Sequence, residues 1–189
     1  MLLFHGTDSK SAADILENGI DLQKSESSVD FGTGFYTTPN EQYAKRRAIN
    51  ITEVRNGFLD KRGLKPVVLA IDYRPPNDEQ GLSCLTLKTA TFDWKCFVLY
   101  NRLVPSGYTV DNTIIQNVKN GYDIVTGISA DAGISNIISS IFNGTVTLEE
   151  ALLLIDVSKD PDWGDCQVSF RSEQAINKCI RRIWKHWGV

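Results

Sequence analysis

A chain of 189 residues with 42% hydrophobic and 23% charged residues has the composition of a soluble globular domain, which excludes a disordered or fibrous protein. Its formal net charge of −3 gives no overall attraction to the phosphate backbone of a nucleic acid, so any such contact must be local. Four cysteines without a CxxC spacing and only two histidines favour reduced thiols over a zinc site, and we expect no metal.

No targeting or membrane-spanning segment is predicted. Met1 runs directly into an apolar stretch without a basic region before it, and no segment has the length needed to cross a bilayer. We therefore expect a cytoplasmic protein without membrane contact, or one exported without a Sec signal. Because no repeat, linker or low-complexity segment divides the chain, we also expect residues 1–189 to form a single domain.

The N-terminal part predicts two strands, each followed by a helix. Residues 1–5 form a short apolar strand, and a helix capped by Ser9 or Ser11 ends at Gly19. A second strand begins near Phe35, and a helical pattern follows it. Tyr43 in that pattern is interpreted as a tyrosine on the helix surface.

The remainder of the chain intersperses strands and helices. The patterns predict strands at 65–73, 121–128 and 166–171, and helices at 91–102 and 135–142. Thr147 and Glu150 form a capping box for a further helix, and Ser172 caps a closing amphipathic helix that reaches Ile183. The basic residues at 45–47 and 181–186 are typical of solvated helix faces. The predicted fold class is α+β.

Three short motifs are candidates for a ligand site. His5-Gly6-Thr7 ends the first strand, Phe31-Gly32-Thr33-Gly34-Phe35-Tyr36 alternates glycine with aromatic residues, and Gln167 lies near the start of a late strand. Each motif alone has a structural explanation: a semi-buried histidine, glycines that permit a turn, and an outward-facing polar residue. Their combination, in this order along the chain, is more informative than any one motif alone.

This order resembles the H-Y-E branch of the ADP-ribosyltransferase superfamily, which includes poly-ADP-ribose polymerases and diphtheria-toxin-type enzymes. Over nearly its whole length the chain is also similar to a bacterial family of mostly short ADP-ribosyltransferase-like domains. The further matching stretches are Trp94-x-x-Phe97 with Asn101-Arg102, Tyr122-Asp123-Ile124-Val125-x-Gly127 with Ala130-Asp131, and Gln167-x-x-Phe170 with Ser172-Glu173-x-Ala175.

The resemblance implies a split, mostly antiparallel sheet with flanking helices around a cleft for NAD, the co-substrate. His5 would hydrogen-bond the adenosine ribose, the backbone of Gly6 would pair with the nicotinamide amide, and Tyr36 would form one wall of the nicotinamide slot. The residues expected to bind NAD are His5, Gly6, Thr7, Phe31, Gly32, Gly34, Phe35, Tyr36 and Arg102. Arg102 has two open roles, since it could clamp the NAD pyrophosphate or pair with a carboxylate.

The chain departs from the resemblance at the third motif, where active relatives usually carry glutamate and this chain has Gln167. A carboxamide can bind a ribose hydroxyl, but it supplies no charge to the oxocarbenium-like centre that forms when the nicotinamide bond breaks. A unit charge about 4 Å away contributes roughly 4 kcal/mol at an effective dielectric constant near 20. Asp131 is the candidate replacement, with Asp165 behind it, although Asp131 could equally be a helix N-cap.

The implied function is an NAD-dependent ADP-ribosyltransferase, a glycosyltransferase with His5, Tyr36, Gln167 and Asp131 as catalytic residues. The expected partner is a macromolecular acceptor, protein or nucleic acid, and a toxin or effector role would add an antitoxin or regulatory protein. The alternatives are an NAD glycohydrolase and a catalytically silent module that binds NAD or a partner. An RNA 2'-phosphotransferase of related fold is disfavoured because its paired-histidine motif is absent.

Overall fold

The computed structural model describes residues 1–58, 63–87, 91–118, 121–130, 133–155 and 166–188. Within these ranges the fold is mixed α+β, with helices around two sheets that are mostly antiparallel, which confirms the predicted class. The strands are β1 (Leu2–Asp8), β2 (Phe35–Thr37), β3 (Pro66–Tyr73), β4 (Cys84–Leu87), β5 (Ile124–Ile128), β6 (Cys166–Phe170) and β7 (Ile180–Gly188). The helices are α1 (Ser9–Asn18), α2 (Glu41–Phe58), α3 (Phe92–Leu103), α4 (Asn112–Asn117), α5 (Gly133–Phe142), α6 (Leu148–Leu154) and α7 (Glu173–Cys179).

The two sheets meet where β1 passes the end of β2. The first sheet has the order β1-β3-β7 with both pairings antiparallel. The second has the order β2-β6-β5-β4, in which only the pairing of β4 with β5 is parallel. Phe4 and Thr38 join the sheets through two backbone hydrogen bonds, of 2.8 and 2.9 Å. This bridge places the residue after Phe4 beside β2.

Helix α3 forms the centre of the largest hydrophobic cluster. The sequence predicts a short amphipathic helix here, but the residues of α3 that are buried, Trp94, Cys96, Phe97, Val98, Leu99, Asn101 and Leu103, cover most of its circumference. The indole Nε1 of Trp94 donates to the carbonyl of Ile128 at 3.0 Å, which satisfies the polar atom of this buried ring. Helix α3 is therefore a core element that supports the second sheet and the loop containing Phe31.

Helix α2 lies directly against β1 at Gly6. A Cβ atom built on Gly6 would lie closer than 3.0 Å to the carbonyl oxygen of Ala44 and to the backbone nitrogen of Ala48. Ala44 and Ala48 are both buried, so small residues on each element allow the helix to approach the strand this closely. Gly6 is thus required by the packing of the protein itself.

The predicted N-cap of α1 is wrong. The N-cap of α1 is Asp8 and not Ser9 or Ser11, because its carboxylate accepts the backbone N–H groups of Lys10 and Ser11 at 2.9 and 3.0 Å. The predicted end of α1 at Gly19 is confirmed.

The closing helix is shorter than predicted. It ends at Cys179, and the chain continues as β7, whose backbone pairs with the open edge of β3. Trp184 and Trp187 on this strand pack against the cluster that contains Ala44 and Ala48. The basic residues at 181–186 therefore lie on an edge strand and not on a helix face.

The remaining predicted elements are confirmed within a few residues. β3, β5, β6 and α5 occur where the patterns place them, and α6 begins with the capping box of Thr147 and Glu150. β4 and α4 were not predicted from the sequence.

In the part of the chain that the structure describes, every helix is too short or too polar to cross a membrane.

Candidate functional site

A cleft of about 380 Å³ opens where the two sheets meet. Of the residues predicted to bind a ligand, those that line it are His5, Gly6, Thr7, Gly34, Phe35, Tyr36, Arg102 and Gln167. Phe31 and Gly32 are buried and lie behind this wall. Asp131 and Asp165 lie outside the described residues. The cleft therefore brings together parts of all three motifs, which are far apart in the sequence.

His5 is held against β2 by a hydrogen bond to the backbone of Tyr36 and by packing of its ring against Phe35. Its Nδ1 lies 2.7 Å from the carbonyl oxygen of Tyr36. A carbonyl oxygen only accepts, so Nδ1 must donate the hydrogen. Burial is the main reason that the pKa of His5 falls from 6.5 to about 4, and Arg47 and Arg55 lower it further. At pH 7 His5 is therefore neutral, and its Nε2 carries a lone pair that can accept a hydrogen bond.

This lowered pKa predicts how stability changes with pH. The unfolded chain binds a proton at His5 near pH 6.5, whereas the folded protein does so only near pH 4, so the free energy of unfolding should fall as pH drops from about 6.5 to 4. Denaturant unfolding between pH 4.5 and 6.5 should show this slope in the wild type and a weaker slope in His5→Gln. His186→Gln is the matched control and should keep the slope. An unchanged slope in His5→Gln contradicts the assignment.

Tyr36 is fixed by its hydroxyl group. The hydroxyl accepts the backbone N–H of Phe31 at 2.9 Å and donates to the carbonyl of Gly32 at 2.7 Å. The ring lies nearly parallel to that of Phe31, with an interplanar angle of 14° and centroids 6.1 Å apart. Burial raises the pKa of Tyr36, so the hydroxyl stays protonated and keeps both bonds. The hydroxyl is occupied within the protein, and Tyr36 is one of the residues that line the cleft.

Gly32 and Gly34, in the loop before β2, are both required by the structure of the protein itself. Gly32 has a φ of 73°, and a Cβ atom there would lie closer than 3.0 Å to Oδ1 of Asn101. A Cβ atom on Gly34 would approach Oγ of Ser169 equally closely. Both glycines are therefore explained by the turn and by close packing, and their predicted contact with a ligand stays a prediction.

Gln167 belongs to a cluster with Tyr43 and Ser129. Its Nε2 donates to Oγ of Ser129 at 2.7 Å and to the hydroxyl of Tyr43 at 3.0 Å, and these two oxygens are 3.1 Å apart. All three residues line the cleft. The interpretation of Tyr43 as a helix-surface residue is wrong, because α2 turns this side chain toward β6. Hydroxyl groups can donate as well as accept, so the same neighbours could also bind a carboxylate at position 167.

Arg102 forms the ion pair that was one of its two predicted roles. Its Nε and Nη2 donate to Oδ1 of Asp30 at 2.8 and 2.6 Å, and the backbone N–H of Ala130 donates to Oδ2 at 2.9 Å. The Asp30 side chain is only 6% exposed, so its charge requires this partner. The pair connects α3, the loop that contains Asp30 and Phe31, and the segment after β5. The bond from Ala130 to Asp30 therefore fixes the backbone next to Ser129.

Helix α2 forms one wall of the cleft with residues spaced by four. Tyr43, Arg47, Ile51 and Arg55 all line it, as expected for side chains on one face of a helix. Arg55 forms an ion pair with Asp8, the N-cap of α1. The spacing is visible in the sequence, but only the orientation of the helix shows which of its faces meets the cleft.

The fold and the cleft define the class: an α+β protein with a ligand-sized cleft at the junction of two sheets. Residues 1–181 match the model of the family described as "Protein of unknown function (DUF3990)", and the chain belongs to this family. No curated protein and no solved structure matches the chain. Among the described residues, no group of three or more His, Cys, Asp or Glu side chains could hold a metal ion.

Proposed function

We propose that this protein is an NAD-dependent ADP-ribosyltransferase. The observation that supports the proposal is the convergence of His5, Tyr36 and Gln167, from three distant parts of the chain, on one cleft. Its volume of about 380 Å³ falls within the range of ligand pockets, which is roughly 300 to 1,000 Å³. The order of the three motifs resembles that of the H-Y-E transferases. In the cleft, residues from all three motifs are close enough to contact one ligand.

The proposed reaction breaks the bond between C1' of the ribose and the nicotinamide nitrogen. The electron pair leaves with neutral nicotinamide, and an acceptor nucleophile bonds to C1' and gives up its proton to water. In this proposal the neutral Nε2 of His5 accepts a hydrogen bond from a ribose hydroxyl. Tyr36 supplies an aromatic wall for nicotinamide, and the Gln167 cluster contacts the ribose next to the bond that breaks.

In this mechanism the negative charge beside the ribose comes from one of the two carboxylates proposed from the sequence, Asp131 or Asp165. Asp30 lies in the cleft wall, but Arg102 balances its charge, so it does not provide an unpaired carboxylate. Asp131 follows Ala130, whose backbone binds Asp30, and it remains the first candidate. The acceptor is a protein or a nucleic acid, and a toxin or effector role with a regulatory partner suits a short transferase.

The uncharged side chain of Gln167 favours a second candidate function, a catalytically silent module that binds NAD. The Gln167 amide is already engaged by Ser129 and Tyr43, so the cleft is ordered without any charge at this position. Such a module would bind the dinucleotide and leave its glycosidic bond intact. The two candidates differ in turnover and not in affinity.

Incubating the protein and a cell extract with NAD labelled in its adenylate phosphate tests the proposal. Label in the protein or nucleic-acid fraction supports transfer and identifies the acceptor class. Free ADP-ribose as the sole product indicates a glycohydrolase, and binding without nicotinamide release indicates the silent module. His5→Ala should abolish most of the signal, whereas His186→Ala, which removes the exposed histidine on β7, should retain it.

Tyr36→Ala should weaken NAD binding by about 5- to 150-fold, because an aromatic ring that stacks on a base contributes roughly 1 to 3 kcal/mol. Tyr36→Phe keeps the ring and loses the hydrogen bonds to Phe31 and Gly32, so it should bind NAD better than Tyr36→Ala while unfolding at lower temperature than the wild type. Calorimetric titration and thermal melts separate the two effects. Equal affinity of Tyr36→Ala and wild type would remove this ring from the site.

A further inference from the structure

We propose that Arg47 binds the phosphate groups of the ligand that occupies the cleft. The inference rests on the proposed function, in which the ligand is NAD and those groups are its diphosphate. Arg47 lies in the middle of α2, between the Gln167 cluster and the ion pair of Arg55. Its side chain is exposed at the cleft wall, where a ligand can reach it without breaking the fold.

The charges around the cleft distinguish Arg47 from the other cations of its wall. The lining cations are Lys24, Arg47, Arg55 and Arg102. Three of them have carboxylate partners: Asp14 for Lys24, Asp8 for Arg55 and Asp30 for Arg102. Arg47 forms no ion pair or hydrogen bond with any residue in the described ranges. Among the cations that line the cleft, Arg47 is therefore the one that no carboxylate of the described residues neutralises, so it can pair with an anionic ligand.

The position of Arg47 relative to His5 supports the same assignment. After burial and the backbone contact with Tyr36, the charge of Arg47 is the next influence on the pKa of His5, which it lowers. The guanidinium therefore acts on the part of the cleft where His5 would meet a ribose. A ribose and a phosphate are adjacent in any nucleotide, so one ligand can contact both side chains.

Guanidinium groups bind phosphates well because their planar fork donates two parallel hydrogen bonds. Hydrogen bonds to a charged group contribute about 1.5 to 3 kcal/mol, which corresponds to roughly 10- to 150-fold in affinity. Since Arg47 is exposed and screened by salt, we expect the lower end of this range, about tenfold. The neutral lining of Tyr43, Ser129 and Gln167 offers no comparable group for a phosphate.

The test compares Arg47→Gln with Arg181→Gln, which removes the same charge from an exposed position on β7 outside the cleft. Calorimetric titrations use ADP-ribose, inorganic pyrophosphate and nicotinamide riboside, of which the last has no diphosphate. Arg47→Gln should weaken ADP-ribose and pyrophosphate about tenfold and leave nicotinamide riboside unchanged. Arg181→Gln should match the wild type for all three ligands, and circular dichroism confirms that both variants are folded.

The outcomes separate this inference from the proposed function. Equal loss of all three ligands in Arg47→Gln, or no loss of any, overturns the phosphate contact while the transferase proposal stands. Binding of pyrophosphate that depends on Arg47, in a wild type that does not bind nicotinamide riboside or cleave NAD, supports the anion site and overturns the transferase. A wild type that binds none of the ligands overturns both.

Discussion

Gln167→Glu is expected to raise the rate of nicotinamide release from NAD by up to about 1,000-fold. The reason is that a carboxylate beside the developing oxocarbenium ion contributes roughly 4 kcal/mol at a distance of about 4 Å and an effective dielectric constant near 20. The hydroxyls of Tyr43 and Ser129, which now accept from the Gln167 amide, can rotate and donate to the new carboxylate. The substitution therefore adds a charge with little change in shape.

Gln167→Ala removes the amide and should lower the rate below that of the wild type. The matched control is Gln174→Glu, which adds the same charge at an exposed position on α7. The measurement is the rate of nicotinamide release by the wild type and the three variants at saturating NAD, with and without cell extract. If neither the wild type nor Gln167→Glu releases nicotinamide above background, the silent NAD-binding module replaces the transferase as the better proposal.

The same assay tests Asp131 as the present source of charge. If Asp131 supplies it, Asp131→Ala should be nearly inactive and should retain its affinity for NAD, because an interaction made only in the transition state changes the rate more than binding. In that case Gln167→Glu should add little, since the site already contains a carboxylate. An Asp131→Ala variant with full activity and lower stability would indicate the alternative role as a helix cap.

Gly6→Ala is expected to destabilise this protein strongly. The new Cβ atom would lie closer than 3.0 Å to the carbonyl oxygen of Ala44, which is backbone of α2 and has no rotamer with which to move away. Overpacking of a well-filled core costs roughly 1 to 3 kcal/mol, and a clash with backbone belongs at the upper end of this range. A loss of about 3 kcal/mol should lower the melting midpoint by roughly 6 to 12 °C.

Gly57→Ala is the control for this prediction. Gly57 lies near the end of α2, and a Cβ atom there would meet nothing within 4 Å. Alanine is the better helix former by roughly 0.5 to 1 kcal/mol, so this variant should melt at the same or a slightly higher temperature. Thermal unfolding followed by circular dichroism compares the two variants with the wild type. Equal midpoints for Gly6→Ala and the wild type would contradict the close packing of α2 on β1.

The sequence by itself determined the class and most of the elements of this protein. Local signals carry that information: the apolar run of β3, the capping box before α6 and the glycine after α1 each depend on neighbouring residues alone. The sequence also identified three separated motifs as parts of one candidate site. Their order along the chain was sufficient for this prediction, because motifs are compared by sequence and not by the distances between residues in the fold.

The tertiary structure alone decided which side chains meet in the cleft. Tyr43 follows a helical pattern that is equally compatible with solvent, and its contact with Gln167 exists because Gly6 lets α2 lie directly on β1. The choice between strand and helix at Ile180–Gly188 depended on the open edge of β3, which is distant in the sequence. Arg102 likewise had two chemically equivalent partners, and the structure shows its ion pair with the buried Asp30, while its predicted contact with a phosphate stays a prediction. Such outcomes depend on long-range packing, which a local pattern does not encode.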